Sequence, residues 1–136
     1  DAVTSAVVIA SWANLHNLLD LRPGRALKTG LLVTTPLAVA PGGEASRVLA
    51  AGAAGAAAAA LPEDLVEDTM LGDTGANALG ALVGTSLAAH PATALRLAAA
   101  CLGTGLVLAS ERISFSKVIA ASPVLNALDT LGRRAQ

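Results

Sequence analysis

A chain of 136 residues holds one domain. It is 54% hydrophobic and only 14% charged, against roughly 25% charged for an ordinary soluble domain, and its mean hydropathy is +0.62; a conventional charged surface is therefore excluded. A net charge of −1 excludes a nucleic-acid partner held by phosphate neutralisation, and a single cysteine, Cys101, excludes an internal disulfide. The apolar excess is mostly Ala, Leu and Val, with one Trp, one Phe and no Tyr. Soluble cores draw buried area from aromatics, whereas helices in lipid pack through small residues that let backbones approach closely.

Charged residues cut the chain into five apolar blocks, at residues 2–19, 29–43, 48–62, 74–90 (uncharged on to Leu95) and 97–110. A spanning helix needs about 20 apolar residues, with roughly 17 as the usual minimum. Three blocks fall short of that, and flanking Arg and Lys side chains that snorkel would extend them. Residues 50–61 have no polar face, and residues 79–89 have only Thr85 and Ser86. A soluble bundle would require polar stripes at helical spacing. The expected fold is all-α: a polytopic transmembrane helical bundle of about five spans over residues 1–110, followed by a cytoplasmic amphipathic tail over residues 111–136. The start lacks the positive region of a signal peptide and position 1 is Asp, so a piece of a longer chain is expected.

If every block spans, the connectors alternate between two sides. One side receives Arg22, Arg25, Lys28, Arg112, Lys117, Arg133 and Arg134; the other receives Arg47 and Arg96. The positive-inside rule makes the richer side cytoplasmic in a multi-pass protein of the cell (inner or plasma) membrane. Trp12 is expected near a membrane interface, where Trp is enriched. Gly52, Gly55 and their alanines read as a helix-packing face, and Glu63, Asp64, Glu67 and Asp68 as a solvated acidic loop.

Two clusters carry chemistry. Asn14, Asn17 and Asp20, at i, i+3 and i+6, share one side of a helix end, and Arg22, Arg25 and Lys28 follow. Amides and a carboxylate suit a diphosphate–metal complex, and the three cations are candidate phosphate contacts; a helix C-terminus with a basic loop explains the same residues. His16 lies between the two amides, as a candidate ligand or base or as an interfacial residue without a role. In the second cluster, Gly72-Asp73-Thr74-Gly75 opens an uncharged helix. Glycines admit a ligand close to the backbone, helix N-termini favour anions, and Asp73 is a hard oxygen ligand of the kind Mg²⁺ takes. Asp73 or Thr74 as an N-cap is the competing explanation. The stretch Glu111–Lys117 and the apolar positions Val124, Leu125, Leu128 and Leu131 read as an amphipathic surface helix broken at Pro123, with Ser122 placed to cap its second segment; Phe115 and nearby basic residues are candidates for the border of a substrate groove.

The pattern Asn14-x-x-Asn17-Leu18-x-Asp20, then Met70-x-Gly72-Asp73-Thr74-Gly75-Ala76-x-x-Leu79-Gly80, resembles the polyprenyl-phosphate N-acetylhexosamine-1-phosphate transferases, glycosyltransferase family 4, over roughly residues 1–110. The resemblance implies an integral membrane enzyme that uses Mg²⁺ to transfer a sugar-1-phosphate from a UDP-sugar to undecaprenyl or another polyprenyl phosphate, releasing UMP at the cytoplasmic face. It implies that Asp73 is the magnesium-binding, catalytic aspartate, that Asp20 shares the catalytic role, and that Asn14 and Asn17 lie near nucleotide and metal. It is compatible with a homodimer in the lipid bilayer. The chain departs from the family at Leu21-Arg22-Pro23-Gly24, where a second acidic residue is usual, at Ala76, where Ser is usual, and in the tail. The family's paired aspartates would precede Asp1. A non-catalytic relative that binds lipid-linked phosphate or scaffolds envelope enzymes is the alternative, and a channel or transporter subunit is a third reading.

Overall fold

The computed structural model describes residues 1–133, so Arg134 and the end of the expected tail lie outside the described residues. Five long helices, α1 (Ala2–Leu19), α2 (Arg25–Val39), α3 (Glu44–Leu65), α4 (Gly72–Ala88) and α5 (Thr93–Ser110), are followed by two short ones, α6 (Phe115–Ala121) and α7 (Pro123–Thr130), and no strand occurs among the described residues. The fold is all-α, as the block pattern predicts. Alanine, the strongest helix former, dominates α3.

Three helices, α1, α3 and α5, are long and apolar enough to cross a membrane. The other two apolar blocks form α2 and α4, of 15 and 17 residues. At 1.5 Å per residue, 15 residues rise about 22 Å, less than the roughly 30 Å of a bilayer's hydrocarbon core. Helix α2 is cut short by the turn at Gly24, where φ is +75°, and by an extended residue at Ala40.

Small residues decide the packing. Helix α1 lies between α4 and α5, and α3 packs on α2 and α4. Gly80 and Gly84, one turn apart on α4, let α1 approach closely. A methyl group at Gly84 would stand 2.8 Å from the Ile9 Cα, and one at Gly80 would run into the Trp12 carbonyl oxygen. Gly80→Ala is therefore expected to cost about 1–3 kcal/mol through overpacking against backbone that cannot yield, read as a lowered thermal midpoint in detergent. On α3 the packing stripe is Ala50, Ala53 and Ala57, all with 0% exposure. Gly52 and Gly55 face away from the bundle with open space beside them, so the alanines, not these glycines, form the contact face. Trp12, expected near a membrane interface, packs inside the bundle. It is buried mid-helix, and its indole N–H donates to the Ala99 carbonyl oxygen of α5 at 3.0 Å.

The connectors sort to two ends. The α1–α2 turn meets the end of α3, where Gly24 N–H donates to the Asp64 carboxylate. At the opposite end, Gly42 lies against the His90 ring and Gly43 against Pro91, while the Ser46 hydroxyl donates to the Ser86 carbonyl oxygen at 2.7 Å. The helices thus run alternately up and down, and both chemistry-bearing clusters fall at one end.

Candidate functional site

Helix α1 ends at Asp20, whose backbone N–H donates back to the His16 and Asn17 carbonyl oxygens. That ending holds Asn17 and Asp20 over the start of α4. One carboxylate oxygen of Asp20 and the amide oxygen of Asn17 are buried without a hydrogen-bond partner among the described residues. Buried polar atoms are paired in the great majority of cases, so two orphaned oxygens at one helix end are notable. The Asp20 pKa is raised to about 6, first by desolvation and then by repulsion from the Asp64 and Asp73 carboxylates, with the Gly72 backbone N–H offsetting part of the effect. Asp20, Asp64 and Asp73 thus form one acidic cluster built from the α1 terminus, the α3 terminus and the first turn of α4.

Each acid has a different use. Asp64 is 2% exposed and accepts two backbone N–H groups, from Gly24 and, at 3.2 Å, from Leu71. This corrects its reading as part of a solvated loop: it ties the α1–α2 turn to the α3–α4 connector. The signal was present in the register of α3, because Asp64 lies seven residues beyond Ala57 on the buried stripe of Ala50, Ala53 and Ala57. Asp73 is exposed in the first turn of α4, where an acid complements the helix dipole. The capping explanation does not hold, because α4 has no side-chain cap. Asn77 bonds the Asp73 backbone oxygen at 2.8 Å, not its carboxylate. Gly72 takes φ +64° with open space beside it, a conformation that admits glycine at little cost.

Among the described residues, no three His, Cys, Asp or Glu side chains converge as a metal-holding group. The Asp64 oxygens are taken by backbone donors. What is left is the orphaned oxygens of Asn17 and Asp20 and the exposed carboxylate of Asp73, all oxygen donors. That set fits a hard cation of the Mg²⁺ type, which takes one or two carboxylates and completes its shell with water and phosphate oxygens.

The remaining predicted residues diverge. Asn14, one turn earlier on α1, is exposed. Arg22 is exposed and makes no ion pair among the described residues. Arg25 and Lys28, candidate phosphate contacts, are engaged by the tail instead. The Arg25 guanidinium, 5% exposed, forks onto Asp129 with Nε to Oδ1 at 2.7 Å and Nη2 to Oδ2 at 3.1 Å, and its Nη1 donates to the Ser116 hydroxyl at 3.0 Å. Lys28 Nζ donates to the carbonyl oxygens of Leu128 and Asp129 at 3.0 and 2.8 Å, satisfying the open C-terminal end of α7. Arg133 reaches Asp129 Oδ2 at 3.1 Å. The cations hold the Asp129 carboxyl below the usual carboxylate range, chiefly through the Arg25 hydrogen bond. The tail is two helices parted at Pro123, as expected; Ser122 occupies the cap position, but its hydroxyl makes no cap bond. His16 is fully buried, with Nδ1 2.9 Å from the Trp12 carbonyl oxygen and Nε2 unpartnered facing Gly30.

An apolar groove of about 470 Å³ runs beside this end of the bundle. Trp12, Leu15 and Leu19 of α1, Leu106 of α5 and Phe115 and Ile119 of α6 form its walls. A smaller pocket of about 110 Å³ adjoins it at Arg25, Lys28 and Asp129, and the two share Thr29, Leu32, Ile119 and Leu125. No family model, curated protein or solved structure matches the chain.

Proposed function

We propose that this protein transfers a sugar-1-phosphate from a UDP-sugar to undecaprenyl or another polyprenyl phosphate at the cytoplasmic membrane face, in Mg²⁺-dependent synthesis of cell-envelope glycans. The observation that carries the reading is the pair of buried, unpartnered oxygens on Asn17 and Asp20, set beside Asp73 at the start of α4. Phosphoryl transfer asks for positioning and charge neutralisation more than for covalent machinery. Mg²⁺, when bound, neutralises charge on the diphosphate. Asn17, Asp20 and Asp73 offer it oxygens, and Asn14 lies toward the nucleotide. Arg22 is open to a phosphate, and the backbone N–H groups of the first turn of α4 favour an anion there. Asp64 holds the two connectors in register.

In this reading α2 and α4 complete five crossings, the bilayer thinning locally to match their shorter lengths. Cysteines introduced at the exposed positions Met70 and Pro91, with Cys101→Ala as background, are expected to label from opposite sides of sealed membranes. Labelling of both from one side would overturn the alternating arrangement.

The deciding assay is UMP release from UDP-sugars by the full-length protein in membranes containing undecaprenyl phosphate. Turnover is expected with Mg²⁺ and abolished by EDTA. A second reading, a relative that binds lipid-linked phosphate without turnover, is favoured by the engagement of Arg25 and Lys28 with the tail, which leaves Arg22 as the exposed cation of the first cluster. Undecaprenyl phosphate binding with no UMP from any UDP-sugar supports that reading against the enzyme.

A further inference from the structure

We propose that the Arg25–Lys28 pair of α2 is a binding site for the headgroup of a long-chain phosphate monoester, and that α7 blocks it by seating Asp129 there as a surrogate anion. Three observations meet at this point. The first is charge. Among the described residues, Arg25 and Lys28 of α2 meet Asp129, and Arg133 pairs with it from the tail itself; when α7 leaves, two positive charges stay on α2, which a phosphate dianion balances. The second is geometry. Arg25 offers Asp129 a two-pronged fork and adds a third bond to Ser116; the fork fits phosphate as well as carboxylate, and a hydroxyl donor or acceptor beside it suits an additional phosphate oxygen.

The third observation is continuity. The cation pocket opens into the apolar groove through the shared residues Thr29, Leu32 and Ile119, which lie outside α7 and stay when it leaves; Leu125 of α7 closes over them. An anion pocket at the end of an apolar groove, beside helices long enough to cross a bilayer, selects an amphiphile with one apolar chain and a compact anionic head. Free phosphate would use the cations and leave the groove empty.

The tail is built to leave. Helix α7 has eight residues, and Asp129 is its one buried residue; Val124, Leu125, Leu128 and Leu131 are exposed at 43–69%. Its buried hold on the bundle is polar, through Asp129 and the carbonyl oxygens that Lys28 takes, while Leu125 and Leu128 only edge the pocket. A competing anion removes that hold at its centre. Ligand entry and tail release are then one exchange, in which Arg25 passes from Asp129 to phosphate. The inference rests on the transferase reading only for the lipid-phosphate class of the ligand.

The test is hydrogen exchange of residues 123–130 in the intact protein, in nanodiscs of zwitterionic lipid. Dodecyl phosphate is expected to speed exchange in α7 several-fold, with dodecanol and inorganic phosphate inert. Asp129→Asn is expected to bind dodecyl phosphate about tenfold tighter, because the competing charge is gone. Binding of dodecyl phosphate with α7 exchange unchanged overturns the strap. Equal release by inorganic phosphate overturns the chain-bearing ligand, and equal release by dodecanol overturns the anion site. If Asp129→Asn fails to fold, the wild-type exchange result still decides. UMP release on the same preparation separates the readings: turnover without α7 release sinks the strap alone, and α7 release without turnover sinks the transferase alone.

Discussion

Asp64→Ala is expected to destabilise the protein by about 3 kcal/mol or more, the largest stability effect of any single substitution at this end of the bundle. The carboxylate accepts from the Gly24 and Leu71 backbone N–H groups while 2% exposed, and hydrogen bonds to a charged group contribute about 1.5–3 kcal/mol each. Alanine leaves the buried Gly24 donor and the half-buried Leu71 donor unpaired and frees the two connectors from one another. Gly24 is held at φ +75° beside Leu65, so the α1–α2 turn loses its anchor and the placement of Asp20 loosens with it. Asp64→Asn is expected to lose about half as much, because one amide oxygen still accepts while the amide N–H₂ faces a donor. Thermal or denaturant unfolding in detergent, followed by helical signal, reads the difference. Equal stability of Asp64→Ala and wild type would show that the connectors are held by something else.

The second large effect is on turnover. In the transferase reading, Asp20→Asn is expected to lower Mg²⁺-dependent UMP release about 100-fold, the scale on which removal of one preorganised electrostatic group at a reacting centre acts. The fold should not suffer. The Asp20 carboxyl is raised to about 6 by desolvation and by repulsion from Asp64 and Asp73, so ionisation of Asp20 opposes the metal-free fold, and the neutral amide removes that opposition. Lost activity with equal or higher stability distinguishes a functional acid from a structural one. The pH dependence has a definite sign. Because the folded-state pKa lies above the unfolded value, the contribution of Asp20 to stability is full below about pH 4 and is lost as pH rises through about 6. A cation that binds the ionised form is favoured in the opposite direction, so Mg²⁺ affinity is expected to climb between pH 5 and 7 and then level off, roughly tracking that titration. Titration of Mg²⁺ dependence at several pH values checks this, and a flat profile through pH 6 would remove Asp20 from the metal.

Asp129 shows what a linear reading misses. It lies 104 residues from Arg25 in the chain, on a short helix whose apolar residues suggest a surface-bound amphipathic segment. Its neighbours carry no mark that it will be buried. Asp64 is a different case, since the register of α3 places it on the buried stripe of Ala50, Ala53 and Ala57, although its acidic neighbours read as solvated loop. Arg25 and Lys28 were legible as cations beside a chemical cluster, but not as partners of the tail. Trp12 was legible as a singular residue, but its place in the middle of α1, bonded to Ala99, depends on how close Gly103 lets α5 approach.

The sequence by itself determined the all-α class, the five apolar blocks and the break at Pro123, because helix propensity, apolar run length and proline act locally. It also marked Asn17, Asp20 and Asp73 by residue type and spacing. Tertiary structure alone decided that three of the five blocks reach spanning length, since the bounds of α2 and α4 follow from how their turns pack. It alone brought Asp20, Asp64 and Asp73 to one end, left the oxygens of Asn17 and Asp20 without partners, and set Asp129 on Arg25. Each of these is a contact between segments far apart in the chain, and close approach at Gly80, Gly84 and Gly103, not any local pattern, governs which segments meet.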